Sequence, residues 1–138
     1  MTMKAEQFPF VSRDPAMGLT SYLPFLPITL ALRQRTVQVA GLVDTAATVN
    51  VLPYDIGQQL GAVWDAQTVP VQLTGNLAKE KARGLVLTAT VGGFPSVQLA
   101  FAWTRSSSVP VILGQVNFLM EFDVCFYRSR LAFEHKPK

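Results

Sequence analysis

One carboxylate in this chain stands where water is scarce. Asp44 ends the apolar run Val37–Val43 and is followed by Thr45-Ala46-Ala47-Thr48-Val49-Asn50-Val51-Leu52-Pro53. A charge so flanked is poorly solvated, and burying it unpaired is costly. Two uses fit such a residue. It can join a second carboxyl in acid–base work on a water molecule, or it can cap a turn through its own backbone. Glu6, Asp14, Asp65 and Glu80 read as solvated surface carboxylates. The one cysteine, Cys125, lies in the apolar run Phe122–Tyr127 and reads as a buried, inert thiol. With a single histidine, His135, it cannot supply the usual ligand set of a zinc site. An intrachain disulfide is excluded, the redox compartment is undetermined, and a Cys–His nucleophile pair is left open.

The elements that must position Asp44 follow a period of two. Ile28, Leu30 and Leu32 alternate with Thr29 and Ala31, then Val37, Val39, Gly41 and Val43 alternate again. With Arg33-Gln34-Arg35 as a polar turn, Pro27–Val43 reads as a β-hairpin. Leu85, Leu87, Ala89 and Val91 form one face of a further strand. Gly92-Gly93 is a turn signal. Val97, Leu99, Phe101 and Trp103 then stack large side chains on one face of the next strand. Phe122–Tyr127 and Leu131–Phe133 form a last pair around Arg128-Ser129-Arg130. Short strands at this spacing predict a small barrel or sandwich. Two short helices are expected, one from Pro53 to Leu60 stopped by Gly61 and weakened by Gly57, the other within Gly114–Met120. The expected organisation is a mobile N-terminal arm over residues 1–22 and one domain over residues 23–138.

Composition limits the function classes. Of 138 residues, 49% are apolar and only 15% charged, which excludes a disordered tail or a charged coiled coil and suggests apolar surface buried against another copy. A net charge of +3 is too small to argue for nucleic acid. Lys79, Lys81, Arg83, Arg128 and Arg130 lack the interleaved aromatics of a stacking platform, so no nucleic-acid partner is expected. The most apolar early stretch, Tyr22–Leu32, is shorter than the roughly 20 residues of a membrane span and contains Pro24 and Pro27. Met1–Phe10 lacks the pattern of a signal peptide. A soluble protein with no membrane partner is expected, in a compartment the sequence does not specify. It could have been released from a larger precursor.

Gly41–Pro53, GLVDTAATVNVLP, resembles the active-site loop of retroviral-type (retropepsin-like) aspartic proteases. Those carry an apolar strand, then Asp-Thr/Ser-Gly-Ala, then a second apolar strand. Ile112-Leu113-Gly114 matches the family's late apolar-apolar-Gly feature, which packs beneath that loop. The resemblance covers roughly Leu23–Phe133 and departs from the family in three places. Ala46 stands where the family has Gly, and Thr48 where viral members have an acid. Gly75 and Gly84 bracket a charged loop, Asn76–Gly84, in place of a glycine-rich flap tip.

The resemblance implies an all-β fold, a small closed barrel of the acid-protease type with one or two short helices. It implies a homodimer with the active site at the two-fold interface. Asp44 would be catalytic. Thr45, Ala46 and Ala47 would form the active-site loop, with Thr45 bonding across the axis. Thr48, Thr74, Gly75 and Asn76 would bind substrate, the last three on a flap around Leu73–Leu85. Ile112, Leu113 and Gly114 would support the loop. The interface would use chain termini in a shared sheet, with Leu131–Glu134 as the C-terminal strand. No metal or organic cofactor is implied, and the partner is a peptide or protein substrate. Carboxylate-only peptide hydrolysis needs two carboxyls sharing a proton at roughly 3 Å. A chain with one such motif must borrow the second from a twin. The alternative implied by Ala46 is a catalytically weak or inactive dimer of the same fold that binds peptides.

Overall fold

The computed structural model describes residues 3–138. Its strands are β1 (Glu6–Pro9), β2 (Val11–Ser12), β3 (Tyr22–Leu23), β4 (Phe25–Leu32), β5 (Arg35–Val43), β6 (Asn50–Leu52), β7 (Ala82–Thr90), β8 (Val97–Thr104), β9 (Val111–Leu113), β10 (Phe122–Tyr127) and β11 (Ala132–Pro137). Two short α-helices, α1 (Tyr54–Gln59) and α2 (Phe118–Glu121), join them. Six strands close into a barrel in the order β4-β5-β9-β6-β8-β7, with β7 returning to β4. Closure removes the exposed edges that an open sheet would leave. The fold is therefore the expected all-β barrel and not a sandwich.

The period-two segments supply most of its wall. β4 and β5 form the expected hairpin, with Leu32 opposite Arg35. Its turn is the pair Arg33-Gln34, with Arg33 at φ 55°, so Arg35 already belongs to the strand. β7 and β8 pair along their length and bury Leu85, Leu87, Ala89, Leu99, Phe101 and Trp103. β9 runs parallel beside β5, and Gly41 lets them approach, since a Cβ there would lie 2.8 Å from Leu113 Cδ1. α1 lies where expected, and Gly61 ends it at φ +80°. Gly57, a poor helix former, is required there because a Cβ would run into the Trp103 indole.

Three expectations change. The second helix shrinks from Gly114–Met120 to Phe118–Glu121, and the segment ahead of it runs beside the Asp44 loop, where the amides of Gly114, Gln115 and Val116 donate to Asn50 Oδ1 and to the carbonyls of Ala47 and Thr48. Of the arm expected over residues 1–22, Glu6–Pro9, Val11–Ser12 and Tyr22 are strand-paired; residues 1 and 2 lie outside the described residues. β1 pairs with β11, and β2 with β3. Phe8 and Phe10 pack against Phe133, an apolar alternation too short and too interrupted by Pro9 to register as periodic. Finally, Cys125 is exposed. β10 is an outer strand of the sheet β1-β11-β10, so Cys125 alternates onto the solvent face while Phe122 is buried. His135 sits on the opposite, buried face, which separates the one possible Cys–His pair.

Candidate active site

The strand β5 delivers Asp44 to the rim of the barrel. The Asp44 N–H donates to the Leu113 carbonyl at 3.0 Å, adding one step to the β5–β9 pairing. The chain then turns. Asp44 Oδ1 accepts from the Ala46 N–H at 2.9 Å, and the Asp44 carbonyl accepts from the Ala47 N–H at 3.2 Å. The carboxylate thus caps its own turn and is half-buried. Thr45 and Ala46 are exposed at the tip. Arg33 and Leu131 are the non-glycine residues at positive φ among the described residues, so position 46 does not demand glycine.

The segment after β9 braces the loop from beneath. Gly114 passes so close that a Cβ would lie 2.6 Å from the Val49 carbonyl oxygen and 2.8 Å from that of Ala47. The Gln115 and Val116 amides donate to the carbonyls of Ala47 and Thr48, both at 2.9 Å. Gln115 Nε2 donates to the Thr45 carbonyl at 2.6 Å.

Sequence reasoning missed Asn50, which is fully buried under the loop. Its Oδ1 accepts from the Gly114 N–H at 2.8 Å, and its Nδ2 donates to the Ala100 carbonyl at 3.0 Å and to Asn117 Oδ1 at 3.2 Å. Asn117 Oδ1 also accepts from the Ala100 N–H. The available signal was a lone amide inside the apolar run Val49–Leu52, since a buried polar side chain must be bonded.

Asp44 opens onto a cleft of about 490 Å³. Ala46, Ala47, Thr48 and Val49 form one wall, Val51 and Ile112 are further wall residues, and Val109 and Pro110 complete the lining with Leu73–Leu77. The cleft therefore brings Asp44 together with Thr48, Thr74, Gly75 and Asn76. Ile112 lines it as well, whereas Thr45, Leu113 and Gly114 do not. Leu77, Val109 and Pro110 were not anticipated, because nothing local distinguishes them from ordinary loop residues.

The loop on the far side differs in extent from the expected Leu73–Leu85. Leu85 lies in the barrel core, and Ala82 already begins β7. The loop proper spans 72–81. It is closed at its base by Val71 N–H to the Ala82 carbonyl at 3.0 Å and Gly84 N–H to the Val69 carbonyl at 2.8 Å. Leu73, almost wholly buried, anchors it in a small apolar cluster with Val51, Ala82 and Ala102.

Asp44 is the sole carboxylate among the residues lining the cleft. Among the described residues, no group of three His, Cys, Asp or Glu side chains is placed to hold a metal ion. No helix among them is long and apolar enough to cross a membrane.

A closed barrel with an Asp-bearing turn at its rim, braced by an apolar-apolar-Gly strand end, is the retropepsin-like fold. The crystal structure of a retropepsin-like aspartic protease from Rickettsia conorii matches it with a TM-score of 0.61, over 100% of this chain and 98% of that one, at 13% identity. At that identity the likeness is one of fold. No protein-family model and no curated protein matches the sequence.

Proposed function

We propose that this chain is an aspartic endopeptidase whose catalytic pair is completed by a second copy. The observation that carries the reading is the position of Asp44, half-buried on a braced turn at the mouth of a largely apolar cleft, with Thr45 and Ala46 exposed beside it. One carboxylate per cleft cannot hydrolyse a peptide by acid–base chemistry alone. Two-fold pairing at the exposed tip supplies the second.

In that dimer one Asp44 carboxylate takes a proton from water as the water attacks the scissile carbonyl. The other, protonated, gives its proton to the carbonyl oxygen as the tetrahedral adduct forms; on collapse it recovers that proton, and the first carboxyl passes the proton it took from water to the leaving amine. The Ala46 N–H, already on Asp44 Oδ1, orients the carboxylate for this work. The substrate is an extended peptide laid between Thr48 and the 72–81 loop, its apolar side chains facing Val49, Val51, Leu77 and Ile112. No metal or organic cofactor enters the scheme. Because the pair must share one proton, cleavage is fastest in acid and fades as both carboxyls ionise.

The test is Asp44→Asn, assayed against a peptide library across acidic pH. Cleavage should fall by about a thousandfold or more, in line with the loss of an acid–base group. Sedimentation should show the same dimer as the parent. A parent protein that stays monomeric, or an Asp44→Asn protein that cleaves as well as the parent, defeats the reading.

A further inference from the structure

The one histidine of the chain is held in a way that water would not choose. His135 on β11 is 1% exposed, and neither Nδ1 nor Nε2 has a hydrogen-bond partner. Its ring lies among the rings of Phe8 at 5.1 Å, Phe94 at 5.1 Å and Phe122 at 5.7 Å. These come from β1, from the turn between β7 and β8, and from β10. A neutral imidazole tolerates such a cage, whereas an imidazolium left unpaired in it does not.

The cage closes only while β1 is docked. Glu6 stands directly opposite His135 in the β1–β11 pairing, and Phe8 is opposite Phe133. The Glu6 carboxylate is engaged elsewhere, since its Oε1 accepts from the Gly93 N–H at 2.9 Å. It is the one charged side chain that the strand pairing places on the His135 face. From β10 that face receives Phe122 and Val124, and from the turn Phe94, none of them titratable. Asp123, Cys125, Tyr127, Glu134 and Lys136 alternate onto the other face of the sheet.

We propose that His135 is an acid-operated latch on the N-terminal strand: one proton taken up from solvent by its imidazole releases Glu6–Pro9 from β11. Burial pushes the His135 pKa below its ordinary 6.5, and Glu6 opposes that only in part. The sign follows. The released strand exposes an ordinary imidazole, which binds the proton more tightly than the caged one. The docked state is therefore favoured in full above about pH 6.5 and loses ground as pH falls below it. Release also bares the β11 edge that β1 covers, where another strand can add. The latch does not depend on any catalytic role for Asp44.

The experiment follows the single imidazole by NMR while measuring hydrogen exchange at the amides of Glu6, Gln7, Phe8 and Phe10. In the parent protein the ring should titrate below 6.5. Protection of those amides, corrected for intrinsic exchange, should fall severalfold between pH 7 and pH 5, and by no more than about 25-fold, the limit for one imidazole that titrates at 6.5 once released, while β7 and β8 keep theirs. In His135→Leu the protection should be insensitive to pH over that range. A ring that titrates at or above 6.5, or amides equally protected at both pH values in the parent, overturns the proposal. Both of those readings need no variant.

Discussion

At the scale of single residues, the Asp44 turn depends on groups that do not line the cleft. Gly114 is the tightest of them. Its neighbours are the backbone carbonyls of Val49 and Ala47, which cannot swing aside as a side chain would. Gly114→Ala should therefore lower stability by about 1–3 kcal/mol, the usual range for overpacking. The loss should appear as a lower urea midpoint with an unchanged slope. An unchanged midpoint would mean that the loop floats above Gly114 and is not braced by it. Asn50 shares the task, since its amide joins β6, β8 and the segment after β9 at one buried point. Asp44 itself was legible from its flanks. Of its two possible uses, the turn cap is the one seen directly, in the Ala46 N–H bonded to Asp44 Oδ1.

At the scale of elements, the decisive piece is the 72–81 loop. Its base is held by a few backbone hydrogen bonds, among them Arg105 N–H to the Lys81 carbonyl at 3.2 Å, and its apolar attachment to the barrel is the small cluster around Leu73. Elements with few buried contacts open locally before the domain unfolds. Leu73→Ala should loosen the loop selectively. Trypsin should then cut at Lys79 and Lys81 several times faster, with the global unfolding midpoint shifted far less than the roughly 2–5 kcal/mol cost of a core Leu→Ala change. Unaltered cutting together with a full core-sized loss would place Leu73 in the global core instead. The charged stretch Asn76–Gly84 suggested a solvated loop, and composition alone could not show that its apolar flank docks on β6 and β8. The N-terminal strand raises the same issue. β11 already has β1 on one side and β10 on the other, so a sheet shared through β11 requires β1 to leave.

At the scale of the whole molecule, low charge goes with exposed apolar side chains. Val69, Val86 and Val116 are more than half exposed, and they surround a second apolar groove of about 350 Å³. Val49 lines both this groove and the Asp44 cleft. Such a surface favours self-association. If each chain contributes one carboxylate, activity belongs to the dimer and mixing chains has an arithmetic consequence. With equal amounts of parent and Asp44→Asn chains, re-equilibrated, about one quarter of dimers carry two aspartates under random two-fold pairing. Cleavage per parent chain should therefore halve, and dilution should depress it further. Cleavage per parent chain that is indifferent to the added Asp44→Asn protein would show that one chain suffices.

What the sequence determined by itself was local and periodic. The hairpin of β4 and β5, the strands β7 and β8, helix α1 with its Gly61 stop and the Asp44 turn are each written in adjacent residues, because backbone period and turn chemistry act over a few positions. Tertiary structure alone decided the rest. It set Gly114 beneath Ala47 and Val49, carried the 72–81 loop to Asp44, sealed His135 among three phenylalanines and left Cys125 in solvent. Each of these joins segments far apart in the chain, and burial there depends on which face of a strand meets which neighbour. Alternation along a strand defines two faces, but only the packed sheet chooses which of them water sees.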